Sequence, residues 1–314
     1  MKRRRSVRNI TLAGAVSVFV GLAAALPQEL PPAFTIRSDV RLVLLDVAVT
    51  NRKGAAVAGL QKANFDVTED GVRQAISVFA NDDVPVTVGI VVDESLSMAP
   101  KRAEVLAAAQ TLIAKSNPRD EIFVLNFNER VTRGLPEGTL FSDNIGQLGA
   151  ALRRGVPEGR TALNDAIVAG LEQLQMGRRD KKTLVLISDG GDNASRATRR
   201  QMFEHVERSL ATIYTIGLFE PGDPDRDPGL LKELARTSGG EAYFPADLSS
   251  LAAICRGIAR EIRSRYTVGY TPSAGTYGVL RHIRVYVSAP GKTGLIARTR
   301  TTYRYEPIEG QDSN

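Results

Sequence analysis

The chain has 314 residues, with 41 Lys and Arg against 35 Asp and Glu, a formal net charge of +6. Five of the basic residues, Lys2, Arg3, Arg4, Arg5 and Arg8, precede the first acid, Glu29, so the rest of the chain holds 36 basic against 35 acidic residues. Such a near-neutral body has little counterion-release drive toward nucleic acid, and 43% hydrophobic with 24% charged residues excludes a disordered chain.

Residues 1–26 have the three parts of a secretory signal: the basic start MKRRRSVR, an apolar run over 10–26, and small Ala23 and Ala25 in an A-x-A arrangement. Cleavage after Ala25 is expected, which would place the body in the periplasm or outside the cell. The adjacent arginines also permit a twin-arginine signal. The apolar run is shorter than the roughly 20 residues of a spanning helix. Membrane contact is expected only if the segment stays uncleaved as an inner-membrane anchor. Residues 27–33, with Pro27, Pro31 and Pro32, read as a stiff linker.

From 34 to 82 the pattern is β. Residues 40–50 are rich in Val and Leu, and FDVTEDGVRQAISVF sets Asp70-Gly71 between two alternating runs, a hairpin signal. From 83 the pattern changes to strands and helices in turn. Continuous apolar strands are expected at 86–92, 121–127, 183–188 and 211–219. Helices are expected at 101–115, 145–153, 163–174, 199–210, 230–237 and 248–264, with a short strand in EAYFP. Over 83–264 this alternation predicts an α/β fold, a doubly wound and mostly parallel sheet with helices on both faces. Residues 265–306 return to β as three strands, RYTVGYTP, RHIRVYVSA and LIARTRTTYRY, and a disordered tail is expected over 307–314. Neither β flank can build a core by itself. The two are therefore expected to join into one small β-sandwich into which the α/β domain is inserted.

Chemistry-bearing residues gather where the parallel strands end. VVDESLSM places Asp93, Ser95 and Ser97 two apart, so that in an extended run one carboxylate and two hydroxyls face the same side. Thr161 precedes the third helix in TALND, and Asp189 closes TLVLIS. Open α/β sheets bind ligands at this carboxyl edge. A set of hard oxygens without Cys or His suits Mg2+, with Mn2+ or Ca2+ as substitutes. Hydroxyls undercompensate a divalent charge, so such a metal would accept a carboxylate from a partner protein. Cys255 is the only cysteine, and His205 and His282 the only histidines, which disfavours thiolate or imidazole metal sites.

This arrangement resembles the von Willebrand factor type A domain and its metal-ion-dependent adhesion site, D-x-S-x-S, then a Thr, then an Asp, on three loops. The parts stand here in order as DESLS from Asp93, TALND from Thr161 and SDG from Ser188. The resemblance implies that Asp93, Ser95, Ser97 and Thr161 contact the metal directly or through water and that Asp189 completes the shell. It assigns Asp165 to loop support. The flanks, with NFDVTEDGVRQAISVF and YTVGYTP, are similar to a bacterial exported subgroup described from Acidobacteria. Arg160, beside Thr161, is expected to be exposed and to help an acidic ligand, and Asp192, near the site, reads as a turn residue.

The expectation is thus a non-enzymatic, extracytoplasmic adhesion module. One alternative is a metal-independent envelope scaffold. Another is a Mg2+-dependent phosphotransferase of the haloacid dehalogenase type, which calls for D-x-D where this chain has Ser95. The acidic loop at 220–227 could hold Ca2+ but lacks the Gly and distal Glu of an EF-hand, and reads as solvated.

Overall fold

The computed structural model describes residues 42–219, 222, 226–273 and 278–305. The expected leader, the linker, residues 34–41, most of the acidic loop after 219 and the expected tail lie outside the described residues.

Four strands come first: β1 (Val43–Thr50), β2 (Phe65–Glu69), β3 (Val72–Gln74) and β4 (Ile76–Ala80). The Asp70-Gly71 turn joins β2 to β3 in an antiparallel pair, as the alternating runs predict. The α/β segment follows as β5 (Thr87–Asp93), α1 (Arg102–Lys115), β6 (Glu121–Phe127), β7 (Val131–Arg133), α2 (Ile145–Arg153), α3 (Leu163–Gln175), β8 (Lys182–Ser188), α4 (Arg199–Arg208), β9 (Thr212–Gly217), α5 (Pro228–Ser238), β10 (Ala242–Tyr243) and α6 (Leu251–Arg263). Its six strands run in the order β10-β9-β8-β5-β6-β7, parallel except for β7. The short antiparallel edge β7 has no apolar alternation to announce it.

β5 is buried at every residue because it lies at the centre of the sheet with helices over both faces. The crossover from β5 to β6 moves one way along the sheet, and those to β8, β9 and β10 move the other way. Right-handed crossovers therefore put the connecting helices on opposite faces. In agreement, α1 packs on α2 and α6, whereas α3 packs on α4 and α4 on α5. The direction reverses between β5 and β8, whose carboxyl ends form the switch point where such sheets open a crevice. In register, Val92 of β5 lies opposite Ile187 of β8, so Asp93 and Ser188 emerge side by side.

The chain closes with β11 (Tyr266–Tyr270), β12 (Leu280–Val287), β13 (Ile296–Arg298) and β14 (Thr302–Arg304). Strands from both flanks interleave in two antiparallel sheets, β13-β1-β11-β4 and β14-β12-β2-β3. Their shared core includes Leu45, Val47, Phe65, Val67, Tyr266, Val268 and Ile283. Glu69 is buried in this core and links the sheets, accepting from the hydroxyls of Tyr270 at 2.6 Å and Tyr303 at 2.7 Å and pairing with Arg281. A buried carboxylate is tolerated only with its lone pairs filled in this way.

One expected strand is corrected. LIARTRTTYRY is not continuous: β13 joins the first sheet and β14 the second, with Thr299-Arg300-Thr301 crossing between them. Two contacts with the α/β segment impose the break. Gly239 ends α5 at φ +83, and a Cβ there would stand 2.3 Å from the Arg300 nitrogen, so only glycine lets the crossing backbone approach. The buried Arg300 guanidinium then donates to the Ser209 carbonyl at 2.7 Å and the Glu207 carbonyl at 3.3 Å, satisfying the end of α4.

Arg265, 1% exposed, pins the same joint from the chain's return to the sandwich. It donates to the Tyr214 hydroxyl at 2.9 Å and to the carbonyls of Asp46 and Gly239, both at 2.8 Å, and pairs with Glu261 at 3.2 Å. Burial pushes the Glu261 carboxyl up, but Arg265 and then Arg298 outweigh it and hold it below its ordinary range.

Candidate metal centre

β5 delivers Asp93 to the crevice at its last residue, and the chain stays extended through Ser95, at φ −69 and ψ 163, before a short 3-10 turn. The Asp93 carboxylate accepts from the Ser95 amide at 2.8 Å and from the Ser188 hydroxyl at 2.6 Å. The Ser95 and Ser97 hydroxyls are 3.1 Å apart, and Ser97 donates to Asp189 at 2.5 Å. One chain of hydrogen bonds thus joins Asp93, Ser95, Ser97, Ser188 and Asp189 across the switch point. Asp93, Ser95, Ser188 and Asp189 are buried, and Ser97 is the exposed member.

Ser188 was quoted in the SDG motif but given no role of its own. It sits one residue before Asp189, and its role depends on facing Asp93 across the β5–β8 ladder, which local pattern does not reveal. Its hydroxyl also accepts from the Gly190 amide at 3.0 Å. Gly190 turns the chain away at φ +82, where a Cβ would meet the Asp227 carbonyl at 2.9 Å.

Thr161 lies buried on the adjoining loop, placed by its backbone: its amide donates to the Asn193 side chain at 2.9 Å, and its carbonyl accepts from Asn193 and Ala194. Its hydroxyl makes no hydrogen bond to the cluster. Leu96 donates to the Gly159 carbonyl at 3.2 Å, holding this loop beside the Ser95–Ser97 segment.

The three ligand-adjacent residues do structural work. Arg160 is exposed as expected, but pairs with Glu129 at 3.1 Å. Asp165 accepts from the amides of Arg196 at 3.0 Å and Ala197 at 2.8 Å and so supports the loop after β8. Asp192 accepts from the Leu163 amide at 3.0 Å and from the Asn164 side chain, stapling the start of α3.

Electrostatics single out Asp93. Burial, then the nearby charge of Asp189, push its carboxyl from an ordinary 3.8 up to about 7, against the lowering effect of its hydrogen bonds to Ser188 and Ser95. Neither Asp93 nor Asp189 forms an ion pair among the described residues, and the largest influences on Asp93 are its burial, Asp189 and its own hydrogen bonds. Two neighbouring buried carboxylates edged by hydroxyls, with no ion pair among the described residues, gather negative charge at this point. The chemistry of this donor set fits a hard divalent cation. No group of three or more His, Cys, Asp or Glu side chains with metal-holding geometry occurs among the described residues. Cys255 is buried in α6 and its thiol is pushed up to about 12 by burial, as befits a core residue.

Residues 88–191 match the family model of the von Willebrand factor type A domain, a stretch that contains Asp93, Ser95, Ser97, Thr161 and Asp189. The solved structure of a von Willebrand factor type A protein from Catenulispora acidiphila is similar over 86% of this chain and 75% of that one, with a TM-score of 0.51 and 14% identity. Conserved hypothetical protein BatB from Bacteroides thetaiotaomicron matches over 57% of this chain and all of its own, at TM-score 0.46 and 17% identity. Proximal thread matrix protein 1 from the mussel byssus, in a structure with a zinc-occupied MIDAS motif, matches over 58% of this chain and 48% of its own, at TM-score 0.48 and 16% identity. No curated protein matches the sequence.

Proposed function

We propose that the von Willebrand factor type A domain carried by this chain is a non-enzymatic, extracytoplasmic binding module that grips a carboxylate of a partner protein through a divalent cation. The observation that carries this reading is the bonded cluster of Asp93, Ser95, Ser97 and Asp189, two buried carboxylates and two hydroxyls in which neither carboxylate forms an ion pair among the described residues. Asp93, Ser95 and Ser97 would hold the metal, with Thr161 and Asp189 completing its shell. Mg2+ is the expected ion, given oxygen donors only, with Mn2+ or Ca2+ as substitutes. When bound, it supplies a Lewis-acidic positive charge that an incoming carboxylate can neutralise.

The chain's own residues set the geometry. Ser188 and the Ser95 amide fix both oxygens of Asp93, so that its carboxylate meets the ion in one orientation. Ser97, exposed at the rim, is the member best placed between metal and partner. Ser95 stands where a D-x-D phosphotransferase carries its second, acid/base aspartate. The extracytoplasmic setting rests on the leader pattern of residues 1–26. No helix among the described residues is long and apolar enough to cross a membrane.

The reading is tested by capturing partners from an envelope extract on the immobilised protein in Mg2+ and in EDTA, alongside Asp93→Ala. Partners retained only by the wild type in Mg2+ are expected. Recovery of the same partners under all conditions would support the metal-independent scaffold instead.

A further inference from the structure

Leu96, at 65% exposure, is the most exposed large apolar side chain among the described residues, and Val156 is 60% exposed. Both flank the candidate metal centre. Leu96 lies between Ser95 and Ser97, and Val156 lies on the loop that leads to Thr161. The two segments are hydrogen-bonded to each other, with the Glu158 amide on the Glu94 carbonyl at 2.9 Å and the Leu96 amide on the Gly159 carbonyl.

Beneath them the lip is rigid. Glu94 is buried and pairs with Arg102 at 2.9 Å, Arg102 donates to the Gly155 carbonyl at 2.6 Å, and a Cβ on Gly155 would collide with the Glu94 carboxylate. Arg102, Glu94 and Gly155 therefore fix the backbone that carries both apolar side chains, while those side chains stay in water. Exposing them beside a functional crevice costs solvation that a core position would recover, which marks a contact surface.

Charge surrounds the same crevice. Arg130 and Arg196 are exposed on loops at this edge; neither forms an ion pair among the described residues, although Arg130 lies near enough to Glu129 to lower its carboxyl. Arg130 follows Asn128, whose carbonyl accepts from the Ala162 amide at 2.7 Å, and Arg196 is held by Asp165. An acidic segment approaching the centre thus meets exposed guanidinium groups on the loops around it.

We infer that the partner's docking segment carries an acidic residue directly beside a bulky apolar one, the acid at the metal centre and the apolar side chain on Leu96 and Val156. This inference rests on the metal-bridge reading, which it narrows from any carboxylate to a defined pair of side chains. Leu96 and Val156 are specificity residues that contact the ligand and leave the metal shell untouched.

The test uses labelled nine-residue peptides with a central Asp, flanked on either side by Leu, Phe, Ser or Lys. They are titrated by fluorescence anisotropy in Mg2+ and in EDTA, with Mg2+ uptake measured separately by calorimetry. The wild type should favour Leu- or Phe-flanked over Ser-flanked peptides by roughly tenfold in Mg2+. The double variant Leu96→Ser, Val156→Ser should lose that preference and keep its Mg2+ uptake, a result a merely structural role would not give. Equal binding of Ser- and Leu-flanked peptides, a preference that survives in the double variant, or Mg2+ uptake without peptide binding would each overturn the inference alone. Absence of Mg2+ uptake by the wild type would remove the metal-bridge reading and this inference with it.

Discussion

Asp93 carries an electrostatic cost of burial that the fold accepts. Its carboxyl titrates near 7 because it is buried and faces Asp189, while an unfolded chain would titrate it at 3.8. A carboxyl raised on folding favours the protonated folded state. Stability of the stripped protein should therefore fall as pH rises from about 4 to about 7, by roughly 4 kcal/mol at most. Asp93→Asn removes that loss. Thermal melts in EDTA should show a higher Tm for the variant than for the wild type at pH 8, and similar values at pH 4; a wild type whose stability does not fall over this range would contradict the assignment. The spacing of DESLS and the position of Asp189 were legible because they depend on strand ends, which apolar runs reveal. The bond from Ser188 to Asp93 was not, because the two are 95 positions apart across the sheet. Arg160 was expected to be exposed and to help an acidic ligand; its pairing with Glu129 was not legible, because it depends on a turn that brings position 129 beside it.

At the scale of elements, the buried strands β5, β6, β8 and β9 were the clearest features of the sequence, since strands covered on both faces are continuously apolar. The division of LIARTRTTYRY into β13 and β14 was hidden because the break is caused by Gly239 and the end of α4 and not by a turn residue of its own. Gly239→Ala places a side chain at φ +83 against the crossing backbone, and should cost more than about 1 kcal/mol, seen as a lower urea midpoint. A neutral outcome would mean that the crossing can move aside. The joint should also be acid-sensitive. Arg265 and Arg298 hold the Glu261 carboxyl low when folded, so its contribution is present above the ordinary value of 4.5 and lost as pH falls through the depressed one. Glu261→Gln should flatten that acid limb in pH-dependent melts, and an unchanged limb would assign it to other carboxyls.

For the described molecule as a whole, the sandwich and the α/β segment share a joint of buried side chains in Arg265, Tyr214 and Arg300, together with Glu261. Cooperative unfolding in a single calorimetric transition is expected, with Mg2+ at one hundred times its Kd stabilising the folded protein by about 2.7 kcal/mol. That shift should vanish in EDTA and in Asp93→Ala. The charge that suggested nucleic acid resolves at this scale too: the excess belongs to the first eight residues, and the body offers a crevice with two buried acids. The central claim, that this crevice is a metal centre, is tested most directly by isothermal titration of Mg2+ into EDTA-stripped protein. A single-site isotherm for the wild type and none for a folded Asp93→Ala variant is the predicted result. A silent wild type, or equal binding by the variant, would contradict it.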